Sequence, residues 1–139
     1  MVDPDDPLHE FKSHPPADPD DMSAAEIGFH KPLPDDYKAF LSEHDGGEGF
    51  IGEHYVVLWR ASDLLRFNSE YQVGEYAPGL IAFGSNGGGE GFAFDTRCHP
   101  YAVVIVPFIG MSLADSIPAA TSFTSLIERM KKDPESLLG

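Results

Sequence analysis

Cysteine is almost missing. Cys98 is the only one in 139 residues, so no internal disulfide can staple the fold, and the chain suits a reducing compartment, here expected to be the cytoplasm. Long apolar runs are missing as well. Apolar residues make up 42% of the chain, yet charges interrupt them everywhere, and no stretch approaches the ~20 residues that span a bilayer. The opening MVDPDDPLHE is acidic and has no apolar segment, which argues against a secretory signal. Positive charge is scarce: nine Lys and Arg stand against 23 Asp and Glu, for a net charge of −14. Such a field repels nucleic acid and anionic membrane and draws basic partners, so neither nucleic acid nor membrane is an expected partner.

What is present is enough for one domain. Ten Phe and a single Trp supply bulk for one core. The acidity is split. Residues 1–22 hold seven acids, one base and five prolines, net −6, while residues 23–139 still carry −8. The first segment has too little apolar surface to offset its ordering entropy, so it reads as a disordered tail. The domain is expected over 23–133, with a C-terminal tail over 134–139.

Local signals divide that domain. Ser23-x-x-Glu26 reads as a capping box for a short helix. Pro34 reads as the first residue of the next helix, with Asp35 and Asp36 favoured by its dipole. Leu33, Tyr37, Phe40 and Leu41 give that helix one apolar face, and Asp45-Gly46-Gly47 ends it. Phe50–Ile51 and Tyr55–Trp59 read as short strands, and Ser62 as the cap of a helix through Leu64, Leu65 and Asn68. Leu80–Phe83 and Phe92–Asp95 flank the loop SNGGGE (85–90). Tyr101–Phe108, nearly all apolar, reads as a central strand covered on both faces. After a loop, Ser122 caps a last helix whose apolar face is Phe123, Leu126, Ile127 and Met130, stopped by Pro134. The order implies an α+β fold around a mostly antiparallel sheet, with helices packed around it.

The motifs LPDDYKAFL (33–41), DGG (45–47), LW-x-x-x-DLL-x-x-N (58–68), PGLIAFGSNGGGEGFAFD (78–95), VVIV (103–106) and SF-x-x-LI (122–127) occur in an order that resembles the SUKH superfamily. The resemblance covers roughly residues 23–131. It implies a SUKH-like α+β fold and a protein-binding role without catalysis. Its yeast group regulates cell-wall assembly, and most of its bacterial members look like immunity proteins that neutralise polymorphic toxins, many of them nucleases or deaminases.

Candidate chemistry is sparse. GSNGGGEG (84–91) lacks the Walker lysine and precedes a strand, so it reads as a hairpin loop and not a phosphate cradle. Cys98 and His99 are adjacent, and neighbours in an extended chain point to opposite sides, which argues against a catalytic pair. His44, Asp45, Glu48, Glu53 and His54 are the densest set of possible metal ligands, but their spacing matches no zinc or calcium motif. No cofactor and no catalytic residue is expected, and Trp59 is expected to pack in the core or on a sheet face. The leading expectation is an immunity protein binding a basic toxin. The alternatives are a regulatory scaffold or adaptor in cell-wall assembly or signalling, and, with no motif behind it, a small metal-dependent hydrolase. Acidic and aromatic side chains on the loops and the exposed sheet edge are the natural contacts, and the candidate residues are Asp45, Glu48, Glu53, Glu90 and Asp95.

Overall fold

Turn chemistry sets the topology. The computed structural model describes residues 11–132. Gly52 and Glu53 close a two-residue hairpin between β2 (Gly47–Ile51) and β3 (His54–Leu58), with Gly52 at φ +61°. A Cβ at Gly52 would stand 2.3 Å from the carbonyl oxygen of Met130, so the turn also needs glycine for lack of room. The glycine-rich loop is a hairpin, as expected. It joins β4 (Leu80–Ser85) to β5 (Glu90–Asp95), and the Asn86 side-chain Oδ1 accepts from the N–H groups of Gly88 and Glu90. β6 (Ala102–Pro107) and β7 (Ile117–Ala120) follow, and β1 (Phe11–Ser13) lies beside β2. The seven strands form one antiparallel meander in chain order, β1 to β7. The helices are α1 (Pro19–Phe29), α2 (Asp35–Glu43), α3 (Leu64–Glu70), α4 (Val73–Tyr76) and α5 (Phe123–Lys132). The α+β arrangement expected from the sequence is what the chain adopts.

Several boundaries differ from the expectation. The expected tail 1–22 is not a tail throughout, although residues 1–10 of it, and all of the expected C-terminal tail 134–139, lie outside the described residues. Phe11 is buried in β1, and backbone hydrogen bonds from Asp45 to Pro15 and from Ala17 to Leu41 fasten the strand's exit to the domain. α1 begins at Pro19, not at Ser23. Asp18 caps it, accepting from Asp20 N–H at 2.9 Å, and Met22 and Ala25 are its buried residues. Glu26 therefore makes no capping box; its carboxylate receives Leu33 N–H and pairs with Lys38 at 3.3 Å. Pro34 is the N-cap of α2, one position before the expected place. β6 is buried on both faces but is next to the edge, not central. β1 and β7 are the strands not expected. Both are short edges, and Pro118 gives β7 little strand signature.

The core lies under α2 and α5. Strand alternation puts Phe92 and Phe94 on one side of β5. The Tyr37 ring packs between Phe83, Phe94 and Phe123 with centroids 5.0–5.5 Å apart. Each of these rings is buried, which stabilises the fold by roughly 1.5–3 kcal/mol per side chain.

Candidate protein-binding face

The recurring motif residues are occupied in building the scaffold. Asp36 Oδ2 accepts from both the N–H and the hydroxyl of Thr124 at 2.9 Å, so α2 caps the first turn of α5 across 88 residues of chain. Ser122 also caps α5, its hydroxyl accepting from Ser125 N–H at 3.0 Å. Asn68 does the work of a missing strand. β3 pairs with β4 only near Ser85 and Gly84, and beyond that point the side chain of Asn68 meets the β4 edge. It donates to the Ala82 carbonyl at 2.8 Å and accepts from the Ala82 N–H at 2.9 Å. Gly84 is needed because a Cβ there would stand 2.5 Å from the carbonyl oxygen of Val57. Tyr37 is buried, and its hydroxyl has no hydrogen-bond partner among the described residues. Burial, helped by the nearby negative charge of Asp45, raises its pKa well above the ordinary tyrosine range.

The five candidate acids do not converge. Asp45 is only 3% exposed and turns inward, accepting from Ala61 N–H at 2.7 Å and from Arg60 Nε at 3.2 Å. It is a structural clasp and not a contact residue: its position after α2 points it at the entry to the 3-10 turn Ala61–Asp63. Glu90 is tied to the Asn86 amide at 2.8 Å within the glycine-rich hairpin. Asp95, at the other end of β5, is held by Arg97 through two side-chain hydrogen bonds of 2.9 Å, which lower its pKa from the usual carboxylate value. Glu53 is exposed at the β2–β3 turn. Glu48 is exposed in the middle of β2, on the sheet face opposite Ile51.

The proposed metal set does not assemble either. His44 Nδ1 is 3.0 Å from the Ser13 hydroxyl, and Asp45 is engaged at Ala61 and Arg60. Among the described residues, no three His, Cys, Asp or Glu side chains are grouped to hold a metal ion. Cys98 and His99 are both exposed, with the thiol on the Asp95 carbonyl at 3.4 Å and the imidazole stacked on Tyr101.

What the fold brings together around Glu48 is a strip of aromatic rings. Phe50 and Tyr55 are direct cross-strand partners, 41% and 36% exposed, with ring centroids 5.3 Å apart in an edge-on contact. The Tyr55 hydroxyl donates to the Glu48 carboxylate, and this bond raises the tyrosine pKa. The Tyr55 ring lies along the glycine-rich loop, where a Cβ on Gly87 would stand 3.1 Å from it. The alternation continues through Val57 to Trp59, where three rings stack. Tyr71 lies 4.2 Å from Phe108 and 6.0 Å from Trp59, nearly parallel to both. Trp59 is buried beneath them, and Tyr71 is 41% exposed. The sequence expectation for Trp59 as a sheet-face aromatic agrees with this packing.

Phe50, Tyr55, Tyr71 and Phe108 were not among the expected contact residues. A signal for the first two is present: in GEGFI, Glu48 and Phe50 share the parity opposite to the buried Ile51. Tyr71 and Phe108 reach the face from a helix end and a loop, so no periodicity marks them.

The model of the SMI1 / KNR4 family (SUKH-1) matches residues 16–129. The chain belongs to this family. No curated protein sequence matches it significantly. The match begins within the segment expected to be disordered, in agreement with the structural role of Ala17 and Asp18. In this SUKH-1 domain the motif residues Asp36, Tyr37, Asp45 and Asn68 serve the scaffold, whereas Glu48, Phe50, Tyr55 and Tyr71 are exposed. Among the described residues, no helix is long and apolar enough to cross a membrane.

Proposed function

We propose that this SUKH-1 domain is a non-catalytic protein-binding module, an immunity protein that holds a basic protein toxin against the outer face of its sheet. The observation that carries this reading is the exposed Phe50–Tyr55 pair beside Glu48, continued by Tyr71, on a chain of net charge −14. Exposed aromatics supply large contact area at low entropic cost, and binding hot spots are enriched in them. The surrounding charge speeds the encounter with a basic surface and disfavours acidic ones. The SUKH-1 family is generally non-catalytic, which supports the same reading.

The test uses a candidate toxin domain, sought first among the products of neighbouring genes. Co-expression is expected to rescue growth, and the purified pair is expected to associate at least tenfold more slowly when salt rises from low to several hundred millimolar. Phe50→Ala with Tyr55→Ala is expected to weaken binding by roughly 30-fold, the worth of about 2 kcal/mol at a hot spot. Equal killing with and without the protein refutes immunity. Normal affinity in the double variant refutes the choice of face. Capture of cell-wall assembly or signalling proteins, with no effect on the toxin, transfers the same face to a regulatory adaptor.

A further inference from the structure

A second surface lies on the helical side of the sheet, away from the aromatic strip. The loop before α2, the β5–β6 loop and the first turn of α5 enclose an open trough of about 450 Å³. Three prolines, Pro32, Pro34 and Pro100, line it together with His99 and Tyr101, whose rings stack with centroids 5.6 Å apart and planes 21° from parallel. Burial, aided by the nearby charge of Glu26, raises the Tyr101 pKa.

The charge in the trough has one sign. Asp35 and Asp36 line it, and among the described residues no lysine or arginine does. Asp36 is already committed to Thr124 and to Tyr37 N–H. Asp35 is fully exposed, and its partner Lys38 stands 3.8 Å away while also serving Glu26 at 3.3 Å. The side chain best placed to meet an incoming cation is therefore Asp35.

The geometry points to a docking site for an extended, proline-containing basic peptide segment. Grooves lined by aromatic rings take prolines in the polyproline II conformation, which loses little entropy on binding. Arginine or lysine on the same segment meets Asp35, and the absence of a cation in the lining disfavours acidic peptides. The site is separate from the outer face, so it stands or falls independently of the immunity reading.

Fluorescence anisotropy of the full chain with a labelled heptapeptide of alternating proline and arginine tests it, with the glutamate counterpart as the comparison. The arginine peptide is expected to bind saturably and the glutamate peptide not to bind. Asp35→Lys and His99→Ala, both at exposed positions, are each expected to weaken binding about fivefold or more, the equivalent of ~1 kcal/mol. Asp115→Lys on the β6–β7 loop makes the same charge change elsewhere and is expected to alter affinity less than twofold. Absence of binding by the arginine peptide, equal binding of the glutamate peptide, or equal weakening by Asp115→Lys overturns the proposal.

Discussion

Asn68→Ala removes the side chain that completes the β4 edge. In the native fold the Ala82 N–H and carbonyl point away from β5, toward the place that β3 has left, and both end on the Asn68 amide at 2.9 and 2.8 Å. Asn68 is buried, and Ala82 is fully buried. Alanine at 68 leaves two backbone groups without a partner and no strand beside them. Each unsatisfied group costs ~1–3 kcal/mol, so the variant is expected to lose about 2–5 kcal/mol. Against a typical native stability of ~5–15 kcal/mol, that is a large share. Urea denaturation is expected to show a lower midpoint with an unchanged slope, and the melting temperature to fall by roughly 10 °C or more. Hydrogen exchange at the Ala82 amide supplies a local readout: its protection is expected to fall more than that of β5 and β6 amides. Asn68→Asp separates hydrogen bonding from size. It keeps an acceptor for Ala82 N–H but offers the carbonyl a charge instead of a donor, so it is expected to be at least as destabilising. A loss below ~1 kcal/mol in Asn68→Ala, with native-like exchange at Ala82, refutes the view that this amide stands in for a strand.

Tyr37→Phe makes the opposite change, removing a buried hydroxyl that has no partner among the described residues. It is expected to keep or gain stability, by up to about 1 kcal/mol in thermal denaturation at neutral pH, and a loss of that size contradicts the argument. Because the folded pKa of Tyr37 is raised, the wild type retains its full stability below the ordinary tyrosine value and loses it as pH climbs above ~10, by about 1.4 kcal/mol per pH unit. Stability curves above that pH are expected to be flatter in Tyr37→Phe, and parallel curves for the two proteins reject this contribution. Asp45→Ala leaves Ala61 N–H buried without its acceptor and is expected to cost about 2–4 kcal/mol in urea denaturation, while the variant that still folds binds its partner normally. Asp36→Ala uncaps α5 and is expected to cost ~1 kcal/mol, read as a drop of several degrees in melting temperature; no change argues that Ser122 caps the helix alone.

The elements legible in the sequence are those with a strong period or a specific turn. Leu33, Tyr37 and Leu41 mark α2, and all are buried. Phe123, Leu126, Ile127 and Met130 mark α5, again all buried. The glycine cluster marks the β4–β5 hairpin. The edge strands were not legible because pairing, not composition, makes them strands: Phe11–Ser13 follows an acidic segment, and Ile117–Ala120 contains proline. The start of α1 was hidden because Asp18 and Pro19 are cap residues as well as typical residues of a disordered tail. The contact face was harder still. Choosing loop acids assumed that charge near a turn is exposed, yet Asp45 is buried by a long-range bond to Ala61 that no local pattern reveals. Phe50 and Tyr55 could be placed by alternation, but their pairing depends on the register of a hairpin, which one residue of slip would reverse.

The clasp between Asp36 and Thr124 bears on the order in which the chain can finish folding. Without Phe123 in place, Tyr37, Phe83 and Phe94 lack the fourth ring of their cluster. The final helix is therefore the lid of the core, and the contact between Gly52 and Met130 is where it comes to rest. Until α5 has docked, the rings of Tyr37 and Phe83 lack the cover that Phe123 gives them.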